Sequence, residues 1–86
     1  MKGYGDAMKR PKAIRVLPQK DYCLLVTFNN NEQRVFDMSS YLAHKPFEEL
    51  KNPALFNTVK PAGLSIEWIN GQDICPDDLY FNSVAV

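Results

Sequence analysis

The chain has 86 residues, of which 45% are hydrophobic and 12% aromatic, and its formal net charge at pH 7 is zero. This length is below the usual range of about 100 to 200 residues per domain, so we expect one domain with one core. The composition excludes a disordered chain, and the neutral charge argues against a protein that binds nucleic acid through a net positive field.

The charges are unevenly distributed along the sequence. Residues 1–20 contain six basic residues and one acidic residue, whereas residues 21–86 contain four basic and nine acidic residues. We assign residues 1–9 to a basic N-terminal extension, within which Met8 is an alternative start. The acidic remainder is available to neutralise this end, and no aromatic residue interrupts the basic run at residues 9–12. We therefore expect no specific nucleic-acid binding.

Compartment and redox state follow from the apolar runs and the cysteines. No apolar run approaches 18 residues and the N-terminus lacks the apolar centre of a signal peptide, so we expect a soluble cytoplasmic protein without membrane contact. Cys23 and Cys75 lie on predicted strands without metal-ligand spacing. The sequence therefore predicts two buried, reduced thiols.

Three β-prone segments begin the domain. The first covers residues 13–17 and ends at Pro18, which cannot donate to a strand ladder. The second covers residues 22–28, and the third follows a tight turn at Asn29-Asn30-Asn31. Alternation along the second strand gives it two faces: Tyr22, Leu24, Val26 and Phe28 on one, and Cys23, Leu25 and Thr27 on the other. Because both faces are largely apolar, we expect this strand to be central and covered on both sides.

Short helical turns follow the third strand. A capping residue among residues 37–40 begins one turn, which Pro46 ends, and Asn52 followed by Pro53 begins another. These two prolines exclude one long helix through the middle of the chain.

The dipeptide Asn70-Gly71 lies between two further β-prone segments and favours a type I′ turn. A two-residue turn pairs position 68 with position 73, so Glu67 and Asp73 are expected on opposite faces, where they cannot share a ligand. Pro76 then ends the second strand of this hairpin.

The predicted fold is therefore α+β. A single five-stranded, mainly antiparallel sheet in the order β-β-β, short helices, β-β carries the short helices on one face. We place the domain at residues 10–82 and a C-terminal tail at residues 83–86.

No recognisable catalytic set emerges from these elements. His44 is the single histidine, both cysteines are expected inside, and Asp77 and Asp78 are explained most simply by capping a turn after Pro76. We therefore predict no enzymatic activity, no catalytic residue, no cofactor and no metal site.

The aromatic residues near the C-terminus allow two interpretations. Trp68 anchors the core and Tyr80 packs with its hydroxyl group toward a partner or water, or both join Phe81 in an exposed patch for a protein partner. A small-molecule pocket lined by the same residues is a third option. The candidate partner or ligand surface comprises Trp68, Asp73, Asp77, Tyr80 and Phe81.

Several segments together resemble a known family. They are Pro11-Lys12-Ala13-Ile14-Arg15-Val16, Tyr22-Cys23-Leu24-Leu25-Val26-Thr27-Phe28, Arg34-Val35-Phe36-Asp37, Phe47, Leu50, Phe56 and the stretch from Trp68 to Tyr80. Over about residues 10–82 the chain resembles the small bacterial family known as domain of unknown function 2442, most specifically from Trp68 to Tyr80. Similar members often carry Gly in the first hairpin turn, where this chain has three asparagines.

The resemblance implies a compact α+β domain that occurs alone or fused to a DNA-binding helix-turn-helix. It also implies a place beside other small proteins in toxin-antitoxin-like or regulatory pairs, and it brings no established activity or catalytic residues. We therefore expect a non-enzymatic interaction or regulatory module that binds a protein partner or forms a homo-oligomer through an edge strand or the C-terminal aromatic segment. The alternative is a small-molecule or nucleotide-binding protein with its site between the helical segment and the second hairpin.

Overall fold

The computed structural model describes residues 10–86, so the predicted N-terminal extension and Met8 lie outside the described residues. The strands are β1 (Ala13–Pro18), β2 (Cys23–Phe28), β3 (Gln33–Asp37), β4 (Lys60–Ala62), β5 (Ser65–Glu67) and β6 (Val84–Ala85). The α-helices are α1 (Pro53–Phe56) and α2 (Pro76–Phe81), and the 3₁₀ helices are η1 (Lys20–Tyr22), η2 (Tyr41–Ala43) and η3 (Lys45–Lys51).

The main sheet contains four antiparallel strands in the order β1-β2-β3-β6. β2 is central, as the sequence predicts, and Asn31 at φ 73° forms part of the turn into β3. Asparagine suits this turn because its short polar side chain tolerates left-handed backbone angles. The α+β class and the mainly antiparallel sheet are thus confirmed.

The expectation of one five-stranded sheet is wrong in two respects. β4 and β5 form a separate two-stranded sheet, and β6 adds a fourth strand to the main sheet from within the predicted tail. β4 consists of Lys60, Pro61 and Ala62, which lack the apolar alternation from which strands are read. Its pairing with β5 depends on the turn at Gly63, where φ is +58°.

The link from β1 to β2 also differs from the prediction. Tyr22 precedes β2 and, like Asp21, has a left-handed backbone, with φ values of 61° and 58°. A bulky residue tolerates this conformation only when its surroundings hold it. The Tyr22 ring packs edge-on against Phe56 with ring centroids 5.1 Å apart, and its hydroxyl group donates to the Lys51 carbonyl group.

The turn of the predicted second hairpin is present, but residues 72–75 form no strand and are joined to β5 by one isolated bridge, with the register shifted by one residue. Trp68 N–H donates to the Gln72 carbonyl group over 2.8 Å, and Gly71 N–H donates to the Trp68 carbonyl group over 2.9 Å. Of the two turn residues only Gly71 has a positive φ, of +92°, so the connection is a three-residue loop with a glycine bulge instead of a type I′ turn. Glu67 consequently lies opposite Asp73. The prediction that these carboxylates project to opposite faces is therefore wrong.

The helical segment consists of short turns, as predicted, but the first of them, η2, has no capping side-chain hydrogen bond. The Asn52 side chain accepts a hydrogen bond from Ala54 N–H over 3.0 Å, and Pro53 occupies the first turn of α1. The core lies between this segment, β5, α2 and one face of the main sheet. Its largest fully buried side chains are Trp68, Phe28, Phe36, Leu24, Met38, Leu50, Ile66, Leu79 and Val26.

Candidate interaction surface

One face of the main sheet is packed against the core, and the opposite face, here called the outer face, is not. In β2 the side chains of Leu24, Val26 and Phe28 are buried on the inner face. Cys23, Leu25 and Thr27 alternate with them and are only half-buried. Within residues 10–86 the prediction that β2 is covered on both sides is therefore wrong, because the helices and the second sheet all pack on the same face.

A continuous row of aliphatic side chains crosses the outer face. Leu17 of β1 is paired with Leu25 of β2, Leu25 with Val35 of β3, and Val35 with Val84 of β6. Directly paired residues of antiparallel strands project to the same face, so these four side chains are neighbours across all four strands. Leu17 is 47% exposed and Val84 is 69% exposed. We call these four residues the aliphatic row.

Polar side chains flank the aliphatic row on both sides. On one flank Arg15 is paired with Thr27, and Thr27 with Gln33, whose side-chain amide donates to the Thr27 hydroxyl group over 3.3 Å. On the other flank Cys23 is paired with Asp37. An apolar centre with a polar rim is the usual anatomy of a protein–protein contact surface.

The position of Val84 in the row depends on a cluster around Arg34. The Arg34 guanidinium group donates to both the hydroxyl and the carbonyl oxygen of Ser83, each over 2.7 Å. Its central carbon also lies 4.7 Å from the centroid of the Tyr80 ring. The neighbouring Glu32 carboxylate raises the pKa of Tyr80, and the neighbouring Tyr80 hydroxyl group lowers the pKa of Glu32. This cluster attaches the segment that becomes β6 to the sheet.

The sheet edges are less suited to binding than the outer face. β1 has an irregular register between Ala13 and Arg15 and ends at Pro18, and Ala13 N–H already donates to the Leu64 carbonyl group over 3.3 Å. β6 at the other edge has only two residues. Bulges, prolines and short edge strands all limit the addition of a further strand.

Trp68, the first of the predicted surface residues, lies in the core. It is 1% exposed, and its indole N–H donates to the Phe56 carbonyl group over 2.9 Å. The candidate role of Trp68 as a surface contact is therefore withdrawn. The indole N–H is the only polar group of this side chain, and it is hydrogen-bonded inside the protein. Burial of Trp68 therefore leaves no donor without a partner.

The other predicted surface residues are distributed over α2 and the second hairpin. Tyr80 is half-buried and packs edge-on against Phe28, with ring centroids 5.2 Å apart. Phe81 is 65% exposed. Asp77 forms an ion pair with Arg10 in the first turn of α2, and Asp73 is exposed opposite Glu67. None of these side chains belongs to the aliphatic row.

Cysteine burial is only partly as expected. Both thiols are free, Cys23 is half-buried on the outer face, and Cys75 is exposed immediately before α2, so the prediction of burial is wrong for Cys75. Burial, with the nearby carboxylates of Asp37 and Asp21, raises the pKa of the Cys23 thiol. Among residues 10–86 no three side chains of His, Cys, Asp or Glu are grouped so that they hold a metal ion.

The aliphatic row was missed at the level of sequence because its members are far apart along the chain. Alternation does place Leu25 on the face of β2 opposite Leu24 and Val26. Leu17 and Val35 likewise alternate with buried neighbours in β1 and β3. That signal shows which residues share a face. It does not show whether another layer covers that face.

The fold and this surface define a small α+β domain in which no element of residues 10–86 covers one partly apolar face of the main sheet. Residues 13–85 match the family described as Protein of unknown function (DUF2442), and the chain belongs to this family. Comparisons with curated proteins and with solved structures found no match. No helix within residues 10–86 is long and apolar enough to cross a membrane.

Proposed function

We propose that the protein is a non-enzymatic interaction or regulatory module that binds a protein partner through the outer face of its main sheet. The observation that carries this proposal is the aliphatic row, which crosses all four strands and remains partly exposed. A partner encoded nearby, as in toxin-antitoxin-like pairs, and a second copy of the chain are both protein partners in this sense.

The energetics favour covering this face. Burying apolar surface stabilises a complex by about 25 cal/mol per Å², and exposed aliphatic side chains on neighbouring strands offer that gain together. The polar flanks keep the free protein hydrated at the rim. The predicted contact through an edge strand is replaced by contact through the sheet face, because both edges are blunted.

Site-specific photo-crosslinking tests this proposal. A benzoylphenylalanine residue replaces Leu17 in the aliphatic row, and in a matched chain it replaces Ile69, which is 74% exposed at the tip of the second hairpin. After irradiation in the source cells we expect a discrete protein adduct from position 17 and none from position 69. Introducing Val84→Lys into the chain labelled at position 17 should abolish the adduct.

Adducts of equal yield at both positions, or no adduct at position 17, would contradict a specific contact on the outer face. Circular dichroism of each purified chain establishes that the substituted proteins are folded. A chain that is unfolded is replaced by one carrying the same label at Val84.

A second candidate function is supported by a cavity of about 360 Å³ beside the helical segment. Its volume lies within the range of about 300 to 1,000 Å³ that is typical of small-molecule sites. Six residues line it: Phe36, Asp37, Ser40, Tyr41, His44 and Asn82. The alternative site was expected between the helical segment and the second hairpin, whereas no residue of the second hairpin lines this cavity and Asn82 after α2 does.

The cavity combines an aromatic floor with polar groups at its rim. Hydrogen bonding from Ser39 lowers the pKa of Asp37, and burial raises the pKa of Tyr41, so the carboxylate is charged and the phenol is protonated at neutral pH. A thermal-shift screen of metabolites against the wild-type and Asp37→Asn proteins tests this function. A ligand that stabilises only the wild-type protein supports it, and no stabilisation by any metabolite contradicts it.

A further inference from the structure

The outer face carries one positive and one negative side chain, on opposite flanks of the aliphatic row. Among the strand residues that alternate onto this face, Arg15 is the cation of one flank and Asp37 is the anion of the other. Within residues 10–86 the strand residues of this face therefore carry no net charge. A strongly charged partner would leave one of these two flanks unmatched.

From this arrangement we infer that the occupant of the outer face is a second copy of the same chain. This inference rests on the proposed function and names its partner. A two-fold rotation about an axis along the aliphatic row turns one outer face onto another, so that the rows of the two copies stack on each other. The same rotation exchanges the flanks, which brings Arg15 of each copy onto the flank that carries Asp37 of the other.

Such a contact obeys the ordinary rules of sheet packing. Two sheets that pack face to face lie about 10 Å apart with their strands nearly aligned, and their inner side chains interdigitate. A two-fold interface uses the same patch on both copies, so one self-complementary face is sufficient. Like charges are kept apart, because the two arginines lie on different flanks of the dimer.

The size of the face sets the expected strength of the dimer. Four strands spaced about 4.8 Å apart and about five residues long span on the order of 300 Å² per copy. This is below the roughly 800 Å² per partner of a standard interface, so the dimer should be weak and in rapid exchange.

Sedimentation velocity of the full chain over a range from about 10 to about 500 µM tests the inference, since weak interfaces assemble only at such concentrations. We expect the weight-average sedimentation coefficient to rise from the monomer value toward that of a dimer. Leu17→Lys and Val84→Lys should each abolish this rise, whereas Ile69→Lys, at a more exposed apolar residue away from the face, should leave it unchanged.

Charge reversal separates this two-fold dimer from unspecific association. Arg15→Glu places two carboxylates on each flank of the dimer and should weaken association at least tenfold at low salt. The double variant Arg15→Glu with Asp37→Arg restores opposite charges on each flank and should recover most of the wild-type affinity. Thermal melts of all variants report loss of folding separately.

A chain that remains monomeric at every concentration overturns the inference, as does a dimer that tolerates Leu17→Lys and Val84→Lys. These failures are distinguishable from failure of the proposed function. A monomeric chain that still forms an adduct with another protein from position 17 retains an interaction face with a different occupant. A monomeric chain without any adduct refutes both.

Discussion

Replacing Arg34 with Met should detach β6 and remove one end of the aliphatic row. The Arg34 side chain is 18% exposed, and its guanidinium group makes two 2.7 Å hydrogen bonds to Ser83, which is itself buried. Hydrogen bonds to a charged group stabilise a protein by about 1.5 to 3 kcal/mol. Stacking on Tyr80 adds about 0.5 to 1 kcal/mol. Because Met retains some packing, we expect a loss of about 2 to 3 kcal/mol in the free energy of unfolding.

Two measurements check this expectation. For a domain of this size, about 2 to 3 kcal/mol lowers the melting temperature by roughly 10 to 20 °C. The amide of Val86, which donates to the Gln33 carbonyl group over 3.0 Å, should exchange with solvent at least tenfold faster. Arg15→Met, at an exposed arginine of the same sheet, is the control and should change stability by less than about 0.5 kcal/mol. An unchanged melting temperature together with unchanged exchange at Val86 would refute the role of Arg34.

Three further predictions concern the hairpin, the thiols and pH. Gly71→Ala should lower stability by about 1 to 2 kcal/mol, because φ at this position is +92° and no neighbouring atom lies within 4 Å of an added Cβ, so the cost is backbone strain alone. Asn70→Ala alters no positive φ and removes only the hydrogen bonds of the Asn70 side chain with Gln72 N–H and Glu49, so it should cost about 0.5 to 1 kcal/mol in urea unfolding, and a larger loss than that of Gly71→Ala would contradict this turn geometry. Cys75 should react with a thiol reagent faster than Cys23, as measured on the two single Cys→Ser variants, and the reverse order would contradict the assigned exposures. The pKa of Asp37 is lowered in the folded state, so its contribution to stability is present above the unfolded pKa of about 3.9 and is lost as pH falls through the folded value. Asp37→Asn should therefore flatten the acid limb of a stability–pH curve, and an unchanged limb would show that this carboxylate does not contribute.

Features that depend on local sequence could be predicted. The β2–β3 hairpin follows from alternation and the three asparagines, and the start of α1 follows from Asn52 and Pro53. These elements are specified by hydrogen bonds and backbone preferences within a few residues. The α+β class could be derived for the same reason.

Features that depend on distant pairing could not be predicted. The sequence of β4 predicts a polar loop because Lys60 and Pro61 interrupt any alternation of apolar residues. It forms a strand only through its pairing with β5. β6 has two residues, and its place in the sheet depends on Arg34, which is far away in sequence. The register of the second hairpin depends on the number of residues in its loop, which the dipeptide Asn70-Gly71 alone does not determine.

The aliphatic row could not be predicted from the sequence for a related reason. Sequence periodicity assigns Leu25 to the face of β2 opposite the core. Because both faces of β2 are largely apolar, the sequence predicts a strand that is covered on both sides. Only the arrangement of the helices and the second sheet leaves that face open. The aromatic residues near the C-terminus predicted a different contact surface, and one of them, Trp68, is a core residue.

Methyl NMR of the full chain at low and high concentration tests most directly whether copies of the chain associate through the outer face. The account predicts that methyl resonances of the aliphatic row shift together as concentration rises, while those of Ile69 and Leu64, which are exposed elsewhere, remain unchanged. Row methyl resonances that stay fixed at every concentration, or shifts centred on Ile69 or Leu64, would contradict self-association through the outer face.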